Sequence, residues 1–261
     1  MIVDYHMHLR DERGGIDHSA DAAEKFVERA AERGVDEIGF TEHVYYFTST
    51  QAFWKPEYLA ERCAYDLDTY VDAVLEAKRQ DLPVKLGLEV DYVGGGERQD
   101  ELAAILEPYP WDYLLGSVHW LGEAPVAVDM QPGIWASATV DEVWTMYFAA
   151  LAQLAASGHV DVLAHPDLAK IFGRRPTKIE YPALDGVALE ISTAGLHKPV
   201  GEIYPDLEML ASHPPITLAS DAHEPANVGR DFDRALEHAR AAGYDTVTVF
   251  EGRQGRQEPL G

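Results

Sequence analysis

Short runs rich in β-branched and aromatic residues recur along the chain, each followed by a helix-like or loop stretch. No other feature restricts the fold as much. The runs fall at residues 2–8, 37–43, 84–92, 113–119, 160–165, 187–193, 216–223 and 246–251, with amphipathic patterns at 20–33, 56–79, 140–156 and 225–242. Strand and helix alternating over 261 residues, with no Pro/Gly/Ser-rich linker, predict an α/β fold with one parallel sheet. That sheet is either doubly wound or closed as a barrel, and one domain spanning 1–261 is expected. The triplet Gly94-Gly95-Gly96 leads into an acidic stretch and lacks a following Lys-Ser/Thr, so it reads as a loop and not as a phosphate cradle.

Composition removes several function classes. A hydrophobic share of 46% excludes a disordered chain. Lys plus Arg number 21 against 45 Asp plus Glu, a formal charge of −24, which would repel nucleic acid and anionic membranes. Cys63 is the only cysteine, so neither a disulfide framework nor a Cys-rich zinc module is available. Without a basic start, an apolar leader or a spanning run, the chain reads as cytoplasmic.

The positions of histidines and carboxylates relative to the strands decide the chemistry. In a parallel β/α barrel, residues at the C-terminal ends of the strands gather round one mouth, and those just before strands lie at the other end. Asp4, His6 and His8 share one face of the first strand by period-two alternation. Thr41-Glu42-His43 ends the second, Glu89 lies late in the third, His119 ends the fourth and His165 the fifth, while Asp221 and His223 close the seventh. Six of the eleven histidines therefore converge on the mouth with buried acids. Burying that many unpaired polar groups would cost several kcal/mol each, and divalent metal removes the cost. Imidazole and carboxylate together suit Zn, Mn or Fe. By the same rule His159 and His213 belong to the far end, and His238 to a late helix. His18, in the loop after the first strand, is open between ligand and solvated residue, with Asp17 or Ser19 as the helix cap.

The series Asp4-x-His6-x-His8, Thr41-Glu42-His43, Glu89, His119, His165 and Asp221-x-His223 resembles the PHP (polymerase and histidinol phosphatase) superfamily over nearly the whole chain. Gly116-Ser117-Val118-His119, Phe172-Gly173-Arg174, residues 192–196 and residues 201–205 are similar to its histidinol-phosphate phosphatase branch. The resemblance implies a distorted (β/α)7 TIM-like barrel holding three divalent metal ions. One would rest on His6, His8, Glu89 and Asp221. Glu89 would bridge to a second on His119 and His165, and a third would use His18, His43 and His223. Asp4 is expected to orient a metal-bound imidazole. The implied reaction is metal-assisted hydrolysis of a phosphate monoester, with Glu89, His119 and Asp221 at the reacting centre and water activated by the ions. A strand-end group such as Asp221 is a candidate acid for the leaving alkoxide.

An anionic substrate needs local cations in so acidic a chain. Lys170, Arg174, Arg175 and Lys178 crowd the loop after the fifth strand, and Arg174 is the expected phosphate clamp. His197 and Lys198 offer a second clamp after the sixth strand; related phosphatases often carry Arg at the position of His197. Tyr45, Tyr46, Phe47, Trp54 and Trp120 either wall a pocket for a ring-bearing alcohol or pack the loops, and Asp91 is expected to meet a substrate ammonium. L-histidinol phosphate has both a ring and an amine, and is the expected substrate, in histidine biosynthesis. A nuclease and a protein-tyrosine phosphatase are the alternatives.

Overall fold

Runs of consecutive buried residues give short strands covered on both faces, and the helices between them return the chain so that these strands run parallel. The computed structural model describes residues 1–261 apart from 12, 56–58, 60, 128–132 and 213. Strand β1 (Val3–Asp4) pairs with β2 (Glu37–Phe40), and β2 with β3 (Val84–Leu86). After Gly87-Leu88 the same run resumes as β4 (Glu89–Asp91) and pairs with β5 (Leu115–Ser117). A small antiparallel pair, β6 (Trp120–Leu121) and β7 (Ala124–Pro125), follows at the mouth. The parallel order continues through β8 (Val162–Leu163), β9 (Ala188–Ser192) and β10 (Ile216–Ala219).

The last parallel strand meets the first. Tyr5 N–H donates to Leu218 O at 3.0 Å, Ala222 N–H donates to His6 O at 3.3 Å, and Met7 and Ala222 form a parallel bridge. With β3 and β4 taken as one interrupted strand, the ring has the seven-fold α/β order expected of a TIM-like barrel. The run at 246–251 stands outside it. As β11 (Thr246–Glu251) it pairs antiparallel with β12 (Gln254–Pro259), a second strand whose polar, exposed sequence carries little periodic signal.

Helix α1 (Ala20–Glu32) is capped by Ser19, whose Oγ accepts from Ala22 N–H at 3.1 Å, and it buries Phe26. Asp66 caps α2 (Leu67–Arg79), which is shorter than the pattern at 56–79; the start of that pattern lies partly outside the described residues. The glycine triplet enters a helix and is not only a loop: Gly95 (φ 70°) precedes α3 (Gly96–Leu106). A capping box of Thr139 and Glu142 opens α4 (Val140–Ala156). The pattern at 225–242 is broken because Gly229, at φ 61°, donates its N–H to Asp4 Oδ2 at 2.8 Å, and α5 (Phe232–Ala241) starts only after that turn. No helix among the described residues is long and apolar enough to cross a membrane.

Aromatic rings close the floor below the mouth. Tyr5 and Tyr113 stack at 4.9 Å, Phe250 from the hairpin lies 5.7 Å from Tyr113, and the Tyr113 hydroxyl donates to Tyr5 O at 2.7 Å. Tyr113 fits because β2 and the β3–β4 join carry glycines there. A Cβ on Gly39 would come within 2.8 Å of Tyr113 Cζ, and one on Gly87 within 2.9 Å. Gly39→Ala should therefore cost about 1–3 kcal/mol in urea unfolding through overpacking. Wild-type stability in that variant would show that the floor is not closely packed.

Candidate metal centre

The strand ends aim polar side chains inward by two devices. Along β1 and the residues after it, alternation sends His6 and His8 into the mouth while Tyr5, Met7 and Leu9 pack on the other side; all five are buried. At His165 (φ 29°) and Asp221 (φ 53°), just past β8 and β10, the backbone enters the left-handed region, which turns each side chain sharply. Non-glycine residues in that region are strained, a feature that clusters at functional sites.

Glu89 is the centre of the cluster. Its Oε2 lies 3.5 Å from His6 Nε2, 3.9 Å from His8 Nε2 and 2.5 Å from His43 Nδ1. Its Oε1 lies 3.2 Å from His165 Nε2 and 3.5 Å from His119 Nε2. Asp221 Oδ1 stands 3.6 Å from His6 Nε2 and 3.3 Å from His8 Nε2, and His223 Nδ1 is 3.5 Å from the same oxygen. The two oxygens of one carboxylate thus face two different sets of imidazoles.

Outer acids fix the rings. His6 Nδ1 donates to Glu190 Oε2 at 2.7 Å, His8 Nδ1 to Glu42 Oε1 at 3.2 Å and His119 Nδ1 to Asp91 Oδ1 at 2.8 Å. An ionised carboxylate only accepts, so each bond puts the proton on Nδ1 and leaves the Nε2 lone pair facing the centre. Glu190 also accepts from His165 N–H at 3.2 Å. Sequence reading gave it no role, yet a glutamate inside Ala188-Leu189-Glu190-Ile191 carries the same signal as Glu89. Asp4 corrects the expectation that it orients an imidazole: its oxygens accept from Ser220 N–H, Ser220 Oγ and Gly229 N–H, so it ties β1 to the turn after β10.

The charges are mutually dependent. Burial disfavours an ionised Glu89, but His43, His119 and His6 outweigh it and hold the carboxyl well below its ordinary range. Asp221 is likewise buried, and His6 and His8 likewise hold its carboxyl well below the ordinary range. Burial and the charge of His8 push His43 down to about 3, while His119, though buried, is raised to about 9 by Asp91 and Glu89.

Polar atoms without partners test whether metal fits. His6 Nε2 and His8 Nε2 are buried and make no hydrogen bond, and His43 Nδ1 and Glu89 Oε2, also buried, have only each other at 2.5 Å, outside hydrogen-bond geometry. Such atoms are costly unless an ion or ordered water meets them. Ligand atoms lie within 4.8 Å of one another in four groups: His6, His8 and Asp221; His6, Glu89 and His165; His43, Asp91 and His119; and His8, His43 and His223. The donor set fits divalent metal. His18 stands outside these groups. Its Nε2 is 3.4 Å from Glu42 Oε2 and its ring packs on Phe47 and Tyr70; Glu42 also pairs with Arg10.

Above the cluster opens a cavity of about 470 Å³ lined by Tyr45, Trp120, Pro125, Leu168, Ile171 and Tyr204, and by Arg62 and Lys198. Tyr45 stacks on His43 at 4.6 Å, whereas Tyr46 and Trp54 pack on Tyr45 and Phe47 packs on Tyr70, none of the three lining the cavity. Other expected substrate contacts lie elsewhere. Lys170 is fully buried on Asp167 and Asp206, Arg175 pairs with Asp206 and Glu202, and Lys178 pairs with Glu180. Arg174 Cζ sits 5.2 Å from the centroid of the Trp135 ring. His197 is bound to Asp231 at 2.6 Å, and Asp91 is buried beneath His119. His159 bonds to Asp100 at 2.7 Å and His238 to Pro205 O at 2.9 Å, away from the cluster; His213 lies outside the described residues.

A parallel α/β ring with a many-membered histidine and carboxylate cluster at its C-terminal mouth defines a class of metal-site barrels. The chain belongs to the PHP domain family, whose model matches residues 4–194. A protein of Deinococcus radiodurans named "Probable histidinol-phosphatase" is 33% identical over 248 residues, covering 88% of this chain and 91% of that one. A Bacillus subtilis protein named "Histidinol-phosphatase" is 26% identical over 258 residues, covering 84% and 93%. The fold matches the crystal structure of a histidinol phosphate phosphatase from Lactococcus lactis, complexed with zinc, L-histidinol and phosphate, with a TM-score of 0.68 at 22% identity and 98% coverage of both chains.

Replacing Glu190 by Ala should free His6 Nδ1 and leave His165 N–H unmet, lowering zinc affinity about 10- to 100-fold in a chelator competition. An unchanged affinity would mean that Glu190 does not orient the ligands.

Proposed function

We propose that the chain is a metal-dependent phosphatase that hydrolyses L-histidinol phosphate, a small phosphate monoester, to L-histidinol and inorganic phosphate. The observation that carries this reading is Glu89, one buried carboxylate facing imidazoles with both oxygens at the base of an aromatic cavity. The relative of 33% identity bears the same activity in its name.

Three divalent ions (Zn, Mn or Fe) suit the donors. His6, His8, Glu89 and Asp221 would hold one, and Glu89, His119 and His165 the next. His43 and His223 would hold a third, completed by His18 on release from Glu42. When bound, such ions bring the pKa of water from about 15.7 to about 7 and offset charge on the phosphoryl oxygens.

The chain's own groups supply the rest. Asp91 keeps the His119 proton on Nδ1, so that Nε2 presents its lone pair. Tyr45, Trp120 and Tyr204 offer faces to an imidazole ring and an ammonium, and Leu168 and Ile171 exclude water beside them. Of the expected clamp residues, Lys198 lines the cavity, where it would meet the phosphate. This reading places the protein in the cytoplasm, in histidine biosynthesis, with no nucleic acid or membrane as partner.

The test is a kcat/KM comparison of L-histidinol phosphate, phosphotyrosine and single-stranded DNA on metal-loaded protein. Preference for histidinol phosphate is expected; preference for either of the others overturns the assignment. His119→Ala should lower kcat/KM at least about 100-fold with the fold retained by circular dichroism. His18→Ala should remove one ion per chain in metal analysis, and an undiminished count would leave His18 as a partner of Glu42 alone.

A further inference from the structure

Positive charge near the mouth is almost entirely taken up by acids. Arg10 is held by Glu42, Lys170 by Asp167 and Asp206, and Arg175 by Asp206 and Glu202. Two cations that line the cavity over the cluster, Arg62 and Lys198, are exposed and form no ion pair among the described residues. They come from different parts of the ring. Arg62 lies in the connection between β2 and α2, and Lys198 follows the turn Thr193–His197 after β9. Passing through β1 and β10, β2 and β9 are three places apart in a ring of seven, so the two side chains reach the mouth from nearly opposite sides.

We propose that Arg62 is a phosphate-binding residue that grips the phosphoryl group of the substrate from the side opposite Lys198. The proposal rests on the phosphatase reading above and adds the residue that would recognise the anion. A phosphate monoester carries up to two negative charges and approaches a chain of formal charge −24, whose field opposes it. The acids at the base of the cavity, Glu89 and Asp221, cannot attract it. A guanidinium can hold two phosphate oxygens at once, and an ammonium opposite adds a point charge. Among the described residues Arg62 makes no ion pair, so binding a phosphate breaks no bridge to any of them. Sequence reading passed it over because it is a lone arginine beside Cys63, with no motif to mark it.

The experiment compares wild type, Arg62→Ala, Arg62→Lys and Lys198→Ala, each with its metal content measured. KM for L-histidinol phosphate is read beside the inhibition constants of inorganic phosphate and of L-histidinol. Arg62→Ala should raise KM and the phosphate constant together by about 10- to 100-fold, the worth of one charge-assisted bond. The L-histidinol constant and the metal content should not move, and Arg62→Lys should recover part of the loss. A phosphate constant within twofold of wild type, or a shift confined to L-histidinol, overturns the proposal. If wild type hydrolyses no phosphoester, the phosphatase reading fails. Calorimetric binding of inorganic phosphate to wild type and Arg62→Ala then still decides the role of Arg62: equal affinities overturn it and a weakened variant supports it.

Discussion

One carboxylate governs the arrangement. Glu89 is wholly buried, and its two oxygens stand within 4 Å of five imidazoles contributed by four different strand ends. A buried anion needs compensating positive charge, and imidazoles packed against one another resist protonation. Without further cations the opposing tendencies leave His43 pressed down to about 3 and His119 lifted to about 9 within one cluster. Divalent ions relieve both, since a carboxylate can bridge two of them and neutral imidazoles can complete each shell.

The rest of the structure serves to hold that carboxylate and its neighbours in place. Glu89 N–H donates to Glu42 O at 3.0 Å, so the strand that carries Glu89 is tied to the one that carries His43. Glu190, Glu42 and Asp91 then fix three rings from behind, and Asp4 fastens β1 to the turn that brings Asp221 round. Below, the Tyr5, Tyr113 and Phe250 stack fills the barrel beneath the ligands. The excess of acid over base thus has two parts: a few buried carboxylates at the site, and many exposed ones that give the chain its formal charge of −24.

Much of this was legible because strand ends in a parallel ring are fixed by topology. Period-two alternation located His6 and His8, and terminal positions located His43, His119, His165, Asp221 and His223, all of which come together. Side-chain direction within loops was not legible. Arg174 and His197 sit in the right loops but turn to Trp135 and Asp231, while Lys170 turns inward to bury its ammonium. Asp4 and Asp91 share a face with ligands, yet which acid backs which ring depends on neighbouring strands, and pairing across the ring is written in no local pattern. Glu190 could have been found by the rule that found Glu89. The break in the last helical pattern and the β11–β12 hairpin followed from a glycine contact and a polar strand, neither of which periodicity reports.

Anomalous diffraction at the zinc edge, from crystals grown with zinc, tests the central claim most directly. Two peaks should flank Glu89, one against His6, His8 and Asp221 and the other against His119 and His165. Density with no metal at Glu89, or with zinc only on surface acids, would contradict the account.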